Sequence, residues 1–123
     1  MRRLLNALSY SLSGLRLAYL HESAFRQEIA LAAILLPLAF LLPVGAVERV
    51  LLIASVLLML IVELLNSSIE AAVDRIGFDT HRLSKRAKDL GSAAVLLTLV
   101  LVATTWLLVA VPPLVQLALA FRP

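Results

Sequence analysis

The chain has 123 residues, 62% of them hydrophobic and 15% charged, with a mean hydropathy of +1.00 and a formal net charge of +3. Such a composition excludes an ordinary soluble domain and points to a membrane protein. There is no cysteine, so disulfides, thiolate metal sites and cysteine nucleophiles are excluded as well.

At the amino terminus, Leu4, Leu5, Leu8, Leu12 and Leu15 recur at spacings near three and four, with Arg3, Asn6, Ser9, Ser13 and Arg16 opposite them. This pattern predicts an amphipathic helix over residues 3–20 lying on the membrane surface. Gly14 weakens it locally. The segment lacks an uninterrupted apolar core with a small-residue cleavage site, so it is read as part of the working chain and not as a secretory signal. A polar stretch, residues 22–28 (Glu-Ser-Ala-Phe-Arg-Gln-Glu), leads into the first of three apolar runs.

Those runs, residues 29–47, 50–73 and 93–111, are each near or above the roughly 20 residues a helix needs to cross about 30 Å of hydrocarbon. Pro37 is placed to kink the first. Pro43 and Gly45 predict a tight turn before the second, with Glu48 and Arg49 at its water boundary. Residues 75–92 form the one long polar connection, with Gly77 as a helix stop and Asp79 or Thr80 as caps for a following helix. Trp106 reads as an interfacial anchor, and Pro112 with Pro113 closes the third run ahead of a short apolar tail. The expectation is an all-α membrane protein, residues 1–123 forming one domain of three transmembrane helices and a surface helix.

Nine of the eleven basic residues, Arg2, Arg3, Arg16, Arg26, Arg75, Arg82, Lys85, Arg86 and Lys88, flank the same ends of the spans, leaving only Arg49 and Arg122 for the other side. By the positive-inside rule the amino terminus and residues 75–92 face the cytoplasm. These cations are interleaved with Asp79, His81 and Asp89 and adjoin the spans, which argues against nucleic acid as a partner.

The second run carries the chemistry. At about 100° per residue, Asn66, Glu70 and Asp74 fall within a stripe about 80° wide that starts at Glu63. A carboxylate inside a bilayer costs roughly 2.5 to 3.5 kcal/mol even on the lenient insertion scale, so a repeated one implies a use. Counted from Arg49 at about 1.5 Å per residue, Glu63 lies about 21 Å in, Glu70 about 32 Å and Asp74 about 38 Å. Glu63 is then in the inner leaflet, with Glu70 and Asp74 at the cytoplasmic interface near Glu22, Glu28, Lys88 and Asp89. This depth suits chemistry on a lipid head group with a charged cosubstrate arriving from the cytoplasm. A proton-coupled transporter or channel subunit built on Glu63 is the alternative of another class. It needs a polar path to the far side, and the outer halves of the spans offer only the threonines of the third. Simpler readings also exist: Asn66 as interhelical glue, Asp74 paired with Arg75 or Arg86, and Ser67 and Ser68 as packing.

No Gly-x-x-x-x-Gly-Lys or Gly-x-Gly-x-x-Gly phosphate cradle is present. However, residues 62–74 (Val-Glu-Leu-Leu-Asn-Ser-Ser-Ile-Glu-Ala-Ala-Val-Asp), followed by residues 81–95 (His-Arg-Leu-Ser-Lys-Arg-Ala-Lys-Asp-Leu-Gly-Ser-Ala-Ala-Val), resemble the small integral-membrane diacylglycerol kinases of bacteria. The resemblance runs from about Tyr10 to Trp106 and includes residues 22–28. It implies a homotrimer in the bacterial inner membrane, with sites shared between subunits, that transfers the γ-phosphoryl of MgATP to the hydroxyl of diacylglycerol to give phosphatidic acid. Carried over position by position, Glu63 matches the catalytic base and Asn66 its polar neighbour, while Glu22 and Glu70 match the carboxylates that hold Mg²⁺. Nucleotide contacts match Arg3, Tyr10, Glu22, Glu70, Asp79, Thr80, His81, Lys88 and Asp89. The lipid and phosphate region matches Arg3, Gln27, Glu28, Glu63 and Ser92. Two departures stand out, Ser68 where alanine is usual, and Leu12 with Ser13 where the surface helix more often has an aromatic and a lysine. An undecaprenol kinase of the same family shares site and mechanism and differs in its lipid.

Overall fold

A computed structural model describes residues 1–77 and 81–123. Among the described residues there are five helices and no strand: α1 (Arg2–His21), α2 (Ser23–Leu41), α3 (Ala46–Ile76), α4 (Arg82–Val109) and α5 (Val111–Ala120). Helix is what a lipid-facing chain requires, because hydrocarbon offers no partner to an unpaired backbone N–H or C=O. Three stretches are long and apolar enough to cross a membrane, namely Ser23–Leu41, Ala46–Ile76 and Arg82–Ala120. Only 22 to 33% of their most apolar windows is buried within the chain, which leaves most of this surface to lipid or to further protein.

The helices extend beyond the apolar runs that signal them. The first begins at Ser23, so the polar stretch 22–28 is helical and not a lead-in. Its chain passes through Pro37 without leaving the helix. The polar connection expected over 75–92 is mostly helix too, because α3 runs to Ile76 and α4 starts at Arg82. His81 caps α4 by accepting a hydrogen bond from the Leu83 amide at 3.0 Å. The caps expected from Asp79 and Thr80 lie outside the described residues. Gly77 does follow α3, in an extended conformation. Beyond Ala110 the apolar tail is helical as α5, with Pro112 and Pro113 in its first turn, where a missing N–H leaves no hydrogen bond unmade.

α3 is the central element, packing most extensively on α4 and next on α2. The apolar core gathers at the end nearest the α2–α3 turn, from Ala32, Ala39 and Leu42, Leu52, Val56 and Met59, and Val102, Trp106 and Ala110. Three alanines among them allow close helix approach, which suits a setting where packing and not water exclusion holds helices together. Trp106 belongs to this core at 8% exposure, with its indole N–H buried, and is therefore not the head-group anchor its residue type suggests. Arg49, one turn into α3, reaches back and donates to the carbonyl oxygens of Phe40 (2.6 Å), Leu42 (3.2 Å) and Val44 (3.2 Å). Phe40 lies in the last turn of α2, where carbonyls lack an intrahelical partner, whereas the Leu42 carbonyl also accepts from the Val44 amide at 2.9 Å and Val44 belongs to the turn. Arg49 thereby ties the turn shut.

Candidate active site

The opposite end of the bundle is polar. There α1 and α2 meet at Glu22, the single extended residue between them (φ −114°, ψ 108°). Arg26 braces the corner by donating to the carbonyls of Tyr19 (2.8 Å) and Leu20 (3.2 Å). Glu22 is thus held by a backbone corner. Two turns into α2, Glu28 is buried on the face that also carries Phe25 and Ala32, and its Oε2 has no hydrogen-bond partner.

On α3, Glu63 is 4% exposed and Asn66 9%, while Glu70 is half-buried one turn further on. The charged neighbours of Glu63 are Glu70 and Glu22, and Glu28 has Glu63 as its own. Asn66 Nδ2 donates a long hydrogen bond to Glu70 Oε1 at 3.4 Å. Three carboxylates, from one corner and two helices, therefore gather around a buried fourth. Such a group repels itself and favours a bound cation.

Among the described residues no three acidic or histidine side chains are close enough together to hold a metal ion by themselves. Mg²⁺ keeps waters and takes one or two carboxylates alongside substrate phosphates, so a smaller set could still serve it. Glu22 and Glu70, two carboxylates that neighbour Glu63, are the candidates for that role.

α4 supplies the cations. Lys88 Nζ lies 2.6 Å from Asp74 Oδ1, linking α4 to α3 with Glu70 nearby, so Asp74 pairs with Lys88 and not with Arg75 or Arg86. Lys85 and Asp89 pair along α4 at 2.6 Å. Ser92 and Gln27 are exposed. Arg3 and Tyr10 are exposed on α1. They precede Glu22 by 19 and 12 residues, about 28 and 18 Å along a helix. His81 caps α4, and Asp79 and Thr80 lie outside the described residues.

An open groove of about 740 Å³ lies beside this cluster, between α1 and α3, lined by Gly14, Leu15, Ala18, Glu22, Leu64 and Ser67 among others. Ser68 also lines it and donates to the Leu65 carbonyl at 2.8 Å, while Ser67 Oγ is buried without a partner. The sequence reading missed Gly91 of α4. It is buried, and a Cβ there would overlap Asn66 Oδ1. Its signal was the stripe Lys88, Gly91, Val95 and Thr98, spaced three and four apart on the face that meets α3.

These features define a class: a three-span helical membrane protein with a carboxylate cluster at one end of its bundle. Residues 9–110 match the family model for prokaryotic diacylglycerol kinase. The chain is 54% identical over 106 residues to a diacylglycerol kinase of Pseudomonas aeruginosa, covering 86% of each chain. Against that of Escherichia coli K12 it is 53% identical over 104 residues, covering 85% of each. Against that of Haemophilus influenzae it is 50% identical over 106 residues, covering 86% of this chain and 90% of the other. The chain belongs to the prokaryotic diacylglycerol kinase family.

Proposed function

We propose that this protein is an ATP-dependent lipid kinase that phosphorylates the free hydroxyl of diacylglycerol, giving phosphatidic acid. The observation that carries the reading is the buried Glu63, flanked by Glu70, Glu22 and Glu28, in a chain of this family. Glu63 accepts the hydroxyl proton. The lipid oxygen then bonds to the γ-phosphorus of ATP, the bond from that phosphorus to the β-phosphate oxygen breaks, and ADP leaves. Glu22 and Glu70 hold Mg²⁺, which when bound neutralises charge on the phosphate oxygens. Asn66 positions Glu70 through its hydrogen bond. Lys88, held by Asp74, sets a positive charge beside the nucleotide phosphates, and the family match adds Asp79, Thr80, His81 and Asp89 as nucleotide contacts.

The groove between α1 and α3 is apolar with a few polar groups, which suits a glycerol backbone and its first acyl carbons. Gln27, Glu28 and Ser92 border the lipid and phosphate region. In this reading α1 lies on the cytoplasmic face of the bacterial inner membrane, and a homotrimer lets a neighbour's α1 deliver Arg3 and Tyr10. The carboxylates Glu22 and Glu63 already neighbour each other within one chain, and the sharing proposed here is of α1. Against a transporter, Thr98 and Thr104 donate their hydroxyl protons to the carbonyls of Val95 and Val100 in their own helix.

The test is purified protein in mixed micelles with γ-labelled ATP and Mg²⁺, offered diacylglycerol or undecaprenol. Label in phosphatidic acid is the expected product. Label confined to undecaprenyl phosphate would move the protein to the other lipid, and no label in either would remove the kinase reading.

A further inference from the structure

We infer that Gly91 is a positioning residue for catalysis: the space its missing side chain leaves on α4 holds Asn66 Oδ1, which turns the amide nitrogen of Asn66 toward Glu70. The inference rests on the proposed kinase reading for its metal readout and on geometry for everything else. Asn66 and Gly91 are both buried where α3 and α4 meet. A methyl group at position 91 would overlap Oδ1, would crowd Cγ at 3.3 Å, and would meet the Asn66 Cβ at an ordinary 3.9 Å. The conflict is therefore with the end of one side chain and not with the backbone of α3. Replacing Gly91 by alanine leaves the helices where they are and drives the carboxamide out of its place.

That carboxamide has two ends with different fates. Oδ1 is buried, makes no hydrogen bond of its own and sits in the notch that Gly91 leaves. Nδ2 donates to Glu70 Oε1 at 3.4 Å. Swapping the two ends would set an amide oxygen against a carboxylate oxygen. Orientation of Glu70 thus depends on a residue of another helix that touches neither substrate nor metal. Residues that orient a metal-binding carboxylate typically matter 10- to 100-fold in affinity or activity.

The variant to make is Gly91→Ala in the full chain, alone and combined with Asn66→Ala. The sequence has two asparagines, Asn6 and Asn66, so ¹⁵N-asparagine labelling gives two side-chain amide signals, and loss of one in Asn66→Ala assigns it. Expected for Gly91→Ala is a moved Asn66 amide signal in metal-free protein, unchanged helical circular dichroism, and about a 10-fold higher Mg²⁺ concentration for half-maximal turnover. In the Asn66→Ala background, Gly91→Ala should add nothing to the Mg²⁺ requirement. An unmoved amide signal, a further rise in the Asn66→Ala background, or loss of the fold in Gly91→Ala would each overturn the inference. A wild-type protein that phosphorylates no lipid would instead overturn the kinase reading, and the amide signal would still decide the geometry.

Discussion

A carboxylate that takes a proton and one that holds a cation respond differently to becoming an amide. Glu63→Gln keeps the shape of a buried side chain and removes its basicity, so turnover should fall by roughly 10² to 10⁴ while nucleotide affinity stays near the wild-type value. Glu70 is the proposed metal ligand, so Glu70→Gln should raise the Mg²⁺ and MgATP concentrations needed for half-maximal rate as well as lowering the rate. Steady-state kinetics with Mg²⁺ and ATP varied separately distinguish the two, and wild-type behaviour in both would discard the site. At this scale the sequence was legible for α3, where Glu63, Asn66 and Glu70 share a stripe that helical spacing alone reveals. It was less so for Glu28, whose burial depends on Ser23 already being helical, and for Gly91, whose role is an absence that only a neighbouring helix makes meaningful.

Helix ends explain most of what hydropathy did not reveal. An apolar window detects the part of a helix that meets lipid, whereas the helix itself continues for as long as its backbone bonds do. Hence α3 runs past residue 73 to Ile76, and α4 begins at Arg82, eleven residues ahead of its apolar run, aided by the His81 cap and the Lys85–Asp89 pair. Trp106 shows the converse: residue type favours an interface, but packing among Leu52, Val56 and Ala39 places it inside. Arg49 could be seen as a charge and not as a clasp, since its three acceptors lie five to nine residues back across a turn. Removing it by Arg49→Ala takes the donor from the Phe40 carbonyl of α2 and the Val44 carbonyl of the turn, and leaves the Leu42 carbonyl with the Val44 amide alone. Hydrogen bonds to charged groups are worth about 1.5 to 3 kcal/mol, so a clear fall in the thermal unfolding midpoint in detergent is expected, with turnover at low temperature retained. An unchanged midpoint would show the clasp to be idle.

For the whole molecule, nine basic residues at the polar end give the orientation a direct test. The chain has no cysteine, so single Ala46→Cys and Ser84→Cys substitutions stand on a clean background. A membrane-impermeant thiol reagent should label position 46 on spheroplasts and position 84 only after lysis; labelling of 84 from outside would invert the arrangement. The fold class was legible from composition and the three runs, because lipid admits so few solutions. How the helices pair was not, since most apolar positions look alike until one of them is chosen to pack. The separation between the core near the turn and the carboxylates at the far end has an evolutionary side. Variants at Ala39, Leu52, Val56 or Met59 would be sorted by survival, variants at Glu22, Glu28, Glu63 or Glu70 by product formed, and failure in one sort would carry little information about the other. A lineage built this way can accumulate self-repelling charge and try new lipids at one pole while inheriting its architecture intact from the other.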